Sequence, residues 1–178
     1  MEDIDIIPEP DRVRPSNLPV IRQWIEDLRS GEYAQGEGCL VNVEGKRHEF
    51  CCLGVLCDQA VLNGSIEWNA GKKSPGYSSL FESHAVRKFA GLAGDEVSFW
   101  ADKGRRRMLL YVPLQRNPLV SLLPKVTRNT FGHSARHLFR GVECFAVEIS
   151  DLNDVHHLNF NQIANLLEFN FILNPKKS

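Results

Sequence analysis

The stretch Glu49 to Val61, EFCCLGVLCDQAV, sets Cys51, Cys52 and Cys57 within seven positions of an apolar run. Thiols so placed could hold a metal, attack an electrophile or fill a core. Zinc would need Cys51 or Cys52, Cys57 and distant histidines such as His133 and His137. Structural zinc sites present tight C-x-x-C knuckles in turn-rich chain, whereas four apolar-helix residues separate Cys52 from Cys57. A nucleophile could sit at Cys52, at the entrance of a helix whose positive end lowers a thiol pKa. No His or Asp can be assigned to activate it. Free cysteines behave as small hydrophobes and are commonly buried, so the expectation is core packing, with no metal and no cofactor. A thiol-dependent hydrolase using Cys52 stays as an alternative.

Phosphate loops fail on their spacing. NAGKKSPG, 69 to 76, has Ile66 where the first Walker glycine belongs, and Lys72 is followed by Lys73 rather than Ser or Thr. Gly91 and Gly94 make no dinucleotide fingerprint.

Cations offer a stronger signal. From Lys103 to Arg140 stand nine basic residues and no Asp or Glu, while the rest of the chain carries 12 basic and 22 acidic residues under a net charge of only -1. Such asymmetry calls for an anionic partner. Within NTFGHSARHLFRG, Asn129 to Gly141, a turn of about 100° per residue would gather His133, Arg136, His137 and Arg140 on a quarter of a helix. Phe131, Ala135, Leu138 and Phe139 would cover the other side. Arginine forks match phosphate oxygens and histidine adds a donor below about pH 6.5. The candidate ligand contacts are therefore Arg105, Arg106, Arg107, Arg128, His133, Arg136, His137 and Arg140. The alternative is a solvated face whose cations merely favour a helix C-terminus. A nucleotide-like small molecule or an acidic protein surface fits these residues better than nucleic acid, because stacking aromatics are not interleaved with them.

These groups must be positioned by a chain of 178 residues, enough for one domain that buries roughly two thirds of its unfolded surface. Hydrophobic residues at 43% and charged residues at 24% are ordinary globular values. Residues 1–12, acidic and broken by Pro8 and Pro10, read as a flexible arm, and 13–175 as a single globular domain. The spacing of Ile21, Trp24, Ile25 and Leu28 predicts a helix over 18 to 30, with Asn17 as cap, Pro19 in the first turn and Gly31 as stop. A hairpin around Glu44-Gly45-Lys46 feeds a buried helix from Leu53 to Leu62. A long loop follows around Trp68, then a short helix from Ser83 to Phe89. Arg107 to Val112 and Val142 to Ile149 read as strands. A last helix starts at Asn159 with Gln162 at the capping-box position. The expected class is α+β, a small antiparallel sheet or hairpins packed with about four helices. Five cysteines, an odd number, an acidic N-terminus and no apolar run of about 18 residues predict a cytoplasmic protein without disulfides or membrane contact. A homo-oligomer is left open.

Three blocks carry a resemblance: WIEDLRSGEYAQGEGCL, FCCLGVLCDQA and DLNDVHHLNFNQIANLLE. They are similar to a family of small bacteriophage proteins with a W-x-x-x-LRSG-x-Y-x-Q segment, a CCLGVLCD segment and an LND…F-x-x-IA helix. The likeness covers residues 24 to 62 and 151 to 168, about a third of the chain. It implies a phage origin and the cytoplasm of an infected bacterium, and it brings no activity or catalytic residue. Members are mostly shorter between the two parts, and often carry a glycine after LND where this chain has Val155-His156-His157. The expected function is a non-enzymatic accessory protein that sequesters an anionic, nucleotide-like ligand and so antagonises a host defence or regulatory signal. The alternative is inhibition of a host enzyme or nucleic-acid-binding complex through the same basic face.

Overall fold

The structure, a computed structural model, describes residues 17–44, 46–68, 84–92, 101–102, 105–106, 109–114, 136–139 and 141–172. The predicted arm at 1–12 and most of the predicted loop around Trp68 lie outside them. Helix α1, Leu18–Ser30, buries the four residues its spacing predicts, and Gly31 ends it at φ 77°. A left-handed residue after the last turn is the usual glycine stop. Asn17 holds the cap position without capping: its Nδ2 donates to the Phe89 carbonyl at 2.8 Å and ties the start of α1 to the end of α3, His84–Phe89.

Strands β1 (Ala34–Gln35), β2 (Val41–Glu44) and β3 (Arg47–Phe50) make one small sheet in the order β1-β3-β2. The β2–β3 pair is the predicted hairpin, whereas β1 lies parallel to β3, a pairing no local pattern signals. Helix α2, Cys52–Leu62, follows at once and is buried on nearly every side, as a continuous apolar run requires. Cys51 caps it, its Sγ accepting from the Gly54 N–H at 3.4 Å.

A two-stranded ribbon joins β4 (Ala101–Asp102) and β5 (Arg105–Arg106). The second three-stranded sheet is antiparallel, with order β6-β8-β7 from Leu109–Pro113, Val142–Glu148 and Arg136–Phe139. Helix α4, Ile149–Asp154, leaves β8 directly, and α5, Phe160–Leu167, opens with the predicted Asn159–Gln162 capping box. The chain then widens into a π-helical turn, Glu168–Ile172. This turn carries the buried Asn170 to β6, where Oδ1 accepts from the Tyr111 N–H at 2.8 Å and Nδ2 donates to the Tyr111 and Leu166 carbonyls. The amide thus satisfies both backbone groups that an outer strand would leave open.

One core runs through these layers. Trp24, Phe139, Phe145 and Phe169 are fully buried, with Tyr111 stacked on Phe139 at 4.4 Å and Phe169 edge-on to it at 5.4 Å. The protein is a single α+β unit, as the sequence predicts, with five α-helices among the described residues where about four were expected. No helix among the described residues is long and apolar enough to cross a membrane.

Candidate functional site

The predicted basic helix does not form over 136–139. These residues are β7, paired with β8 in the register Arg136↔Phe145, His137↔Cys144, Leu138↔Glu143 and Phe139↔Val142. Local amphipathicity loses here to long-range pairing: Phe139 is buried against Tyr111 while Leu138 is 41% exposed. Two neighbours that a helix would place on one apolar side are separated, as a two-residue period requires. The three-and-four spacing that would gather His133, Arg136, His137 and Arg140 is therefore absent where the chain is described. Gly141 at φ 75°, just ahead of β8, is the turn signal that reveals the hairpin. Arg105 and Arg106 lie in β5, opposite Asp102 and Ala101. Arg107, Arg128, His133 and Arg140 lie outside the described residues.

The cysteines are where the packing expectation puts them. Cys51, Cys52 and Cys57 are buried, and Cys39 is half-buried. Burial pushes the Cys51 thiol up to about 11, against the lowering effect of the Gly54 and Leu53 N–H groups, and Cys57 up to about 12. It raises Cys52 far above the ordinary thiol value. The helix entrance that would activate a nucleophile is overridden by loss of water. Among the described residues no three His, Cys, Asp or Glu groups stand close enough to hold a metal. With iodoacetamide at pH 8, where a thiol at about 11 is about one part in a thousand thiolate, Cys51, Cys52 and Cys57 are expected to stay unmodified in the native protein. All three should react in urea; rapid native alkylation of Cys52, read by peptide mass, would restore the hydrolase alternative.

What the structure does bring together is the three motif blocks. Gln35 on β1 donates from Nε2 to Asn153 Oδ1 at 3.0 Å and to the Leu158 carbonyl at 2.8 Å, and its Oε1 accepts from the Phe160 N–H at 3.0 Å. Asn153, fully buried on α4, donates to the Gly36 carbonyl at 2.9 Å and to Asp154 Oδ1 at 2.6 Å. Gly36 must be bare, since a Cβ there would meet the Glu49 Cβ at 2.9 Å. Asp58 accepts from the Tyr33 hydroxyl and from the Trp68 indole, both at 2.9 Å. Burial, with Asp58 second, raises the Tyr33 pKa, so the phenol stays a donor. Arg29 bridges α1 to Asn165 and Glu168. Composition and periodicity give no hint of this polar knot, because its central members, Gln35 and Asn153, are neutral amides 118 positions apart.

At the rim of the knot His157 adopts φ 51°, the left-handed region, and its Nδ1 lies 2.7 Å from Glu37 Oε1. A glycine takes that backbone freely, whereas a residue with a Cβ is strained there. Here the exposed Glu37 contact offsets part of the strain. Thermal melts of His157→Gly are therefore expected within about 0.5 kcal/mol of wild type, while His157→Val, β-branched in a positive-φ site, loses about 2 kcal/mol. A glycine variant clearly less stable than the valine variant would contradict this account.

A family model described as a domain of unknown function (DUF8296) matches residues 17–171. No curated protein and no solved structure matches the chain.

Proposed function

The chain belongs to the DUF8296 family, a domain of unknown function, and we propose that it is a phage accessory protein working by binding rather than catalysis. It takes up an anionic, nucleotide-like ligand in the cytoplasm of an infected bacterium and so withdraws a host defence or regulatory signal. The observation that supports this reading is the run from Lys103 to Arg140, nine cations without an acid. Cations so concentrated repel one another unless an anion is at hand. The motif side chains, by contrast, are bonded to one another and serve the architecture. The three blocks that resemble small phage proteins support the setting.

Calorimetry against cyclic and linear nucleotides is the test. At least one should bind in the low micromolar range, and Arg136→Ala or Arg140→Ala should each weaken it roughly tenfold, the scale of one charge-assisted hydrogen bond. If no nucleotide binds tighter than high micromolar, the small-ligand reading falls.

A second reading is favoured by one structural fact, that Arg136 and His137 belong to a strand at the edge of a sheet rather than to a helix. In that reading the partner is an acidic surface of a host enzyme or nucleic-acid-binding complex. Capture from host lysate that is lost at high salt would support it.

A further inference from the structure

Among the described residues the sheet β6-β8-β7 has two outer edges, and they differ. On the β6 side the outward groups of Tyr111 are taken by Asn170. This fixes the phase of the ladder. Tyr111 and Ala146 face each other without exchanging bonds, so Ala146, Cys144 and Val142 turn their backbone groups toward β7. The Leu114 N–H donating to the Glu143 carbonyl at 2.9 Å agrees, since Glu143 then faces β6. Through the β7 register His137 and Phe139 bond to β8, and the backbone groups of Arg136 and Leu138 face away from the sheet. Those of Leu138 have no partner among the described residues, and its side chain is 41% exposed.

We propose that the outer edge of β7 is a docking strand for an extended acidic polypeptide, which adds a fourth strand to the sheet beside Leu138. The proposal rests on the second reading above and specifies its partner. Main-chain bonds supply affinity in such an addition, and side chains along the strand select the partner. The selection here is by charge. Arg136 and His137 stand in the strand, within a run that has no Asp or Glu from Lys103 to Arg140. Cations along an edge repel a second basic copy, which is how natural sheets avoid self-pairing. The same cations admit an acidic strand.

Amide exchange on the full chain tests this, with an acetylated and amidated heptapeptide of alternating glutamate and valine as probe. The Leu138 amide is expected to exchange fast in the protein alone and to slow by roughly tenfold or more with saturating peptide, the effect of a formed hydrogen bond. A peptide N-methylated at every inner residue, or carrying lysine for glutamate, should give no protection. Leu138→Pro removes the outward N–H at a position where an edge strand tolerates proline, and should weaken peptide binding by about the same factor. If that variant does not fold, the methylated peptide still decides, since it leaves the protein unchanged. Protection of Leu138 before peptide is added would mean that this chain or a second copy already covers the edge, and would overturn the proposal. Equal binding of methylated and unmethylated acidic peptides would overturn strand addition while leaving the acidic-partner reading intact. No binding of either acidic peptide would sink both, and leave the nucleotide titration as the measure of the first reading.

Discussion

Gly54→Ala is expected to destabilise the protein by about 3 kcal/mol or more, although alanine in place of glycine within a helix ordinarily stabilises by about 1 kcal/mol. A Cβ at position 54 would lie 1.7 Å from the Leu40 carbonyl oxygen and 2.7 Å from its carbon. Neither atom belongs to a side chain that could swing aside. The Leu40 carbonyl is also held, accepting from the Cys51 N–H at 3.3 Å. Relief requires α2 to back away from the chain entering β2, opening the packing around Leu53, Val55 and Leu56, which are buried. Overpacking against backbone costs about 3 kcal/mol or more, a large part of a typical stability of about 5–15 kcal/mol. Urea unfolding followed by circular dichroism checks it. A variant as stable as wild type would mean that α2 and residue 40 are not in contact.

Asn153→Leu should be nearly as damaging, for the opposite reason that it removes bonds instead of adding atoms. The side chain fits the space, yet the Gly36 carbonyl loses its donor and Gln35 Nε2 loses one acceptor. Each buried polar group so orphaned costs about 1–3 kcal/mol, giving an expected loss of about 3–4 kcal/mol in the free energy of urea unfolding. Asn153→Asp separates shape from donors. Its carboxylate would face the Gly36 carbonyl and the Asp154 carboxylate, both acceptors. Those neighbours raise the pKa of the introduced acid, so the deficit should be largest above neutral pH and shrink as pH falls toward 5. An Asn153→Leu variant within 1 kcal/mol of wild type would mean that the knot is ornamental.

The elements were legible where local rules rule. The spacing from Ile21 to Leu28, the Asn159–Gln162 box and the apolar run after Cys51 each specify a helix from neighbours alone, and each appears. One pairing was missed and one reading failed, for the same reason. The short β1 pairs in parallel with β3, and β7 forms because Phe139 can stack on Tyr111 some thirty positions away. Pairings at that distance override helical amphipathicity, and no window of a dozen residues contains them. The buried thiols were legible by composition. The Gln35–Asn153 knot was not, since an uncharged amide announces neither its burial nor its partner.

The knot also bears on how long the protein can be. Gln35 and Asn153 are 118 positions apart, and Arg29 and Glu168 are 139 apart. The clasp closes a loop of more than a hundred residues, and the entropy of closing such a loop grows only with the logarithm of its length. Doubling it costs about 0.6 kcal/mol, less than one of the hydrogen bonds to Asn153. Chain length between the clasped ends is therefore nearly unconstrained by the thermodynamics of closure. Kinetics differ, because the clasp cannot form on the ribosome until α4 has emerged. The clasped span also supplies α2, β6, β7 and β8 to the core, so length can vary only in the connections between them, and the whole of the basic run lies inside that span.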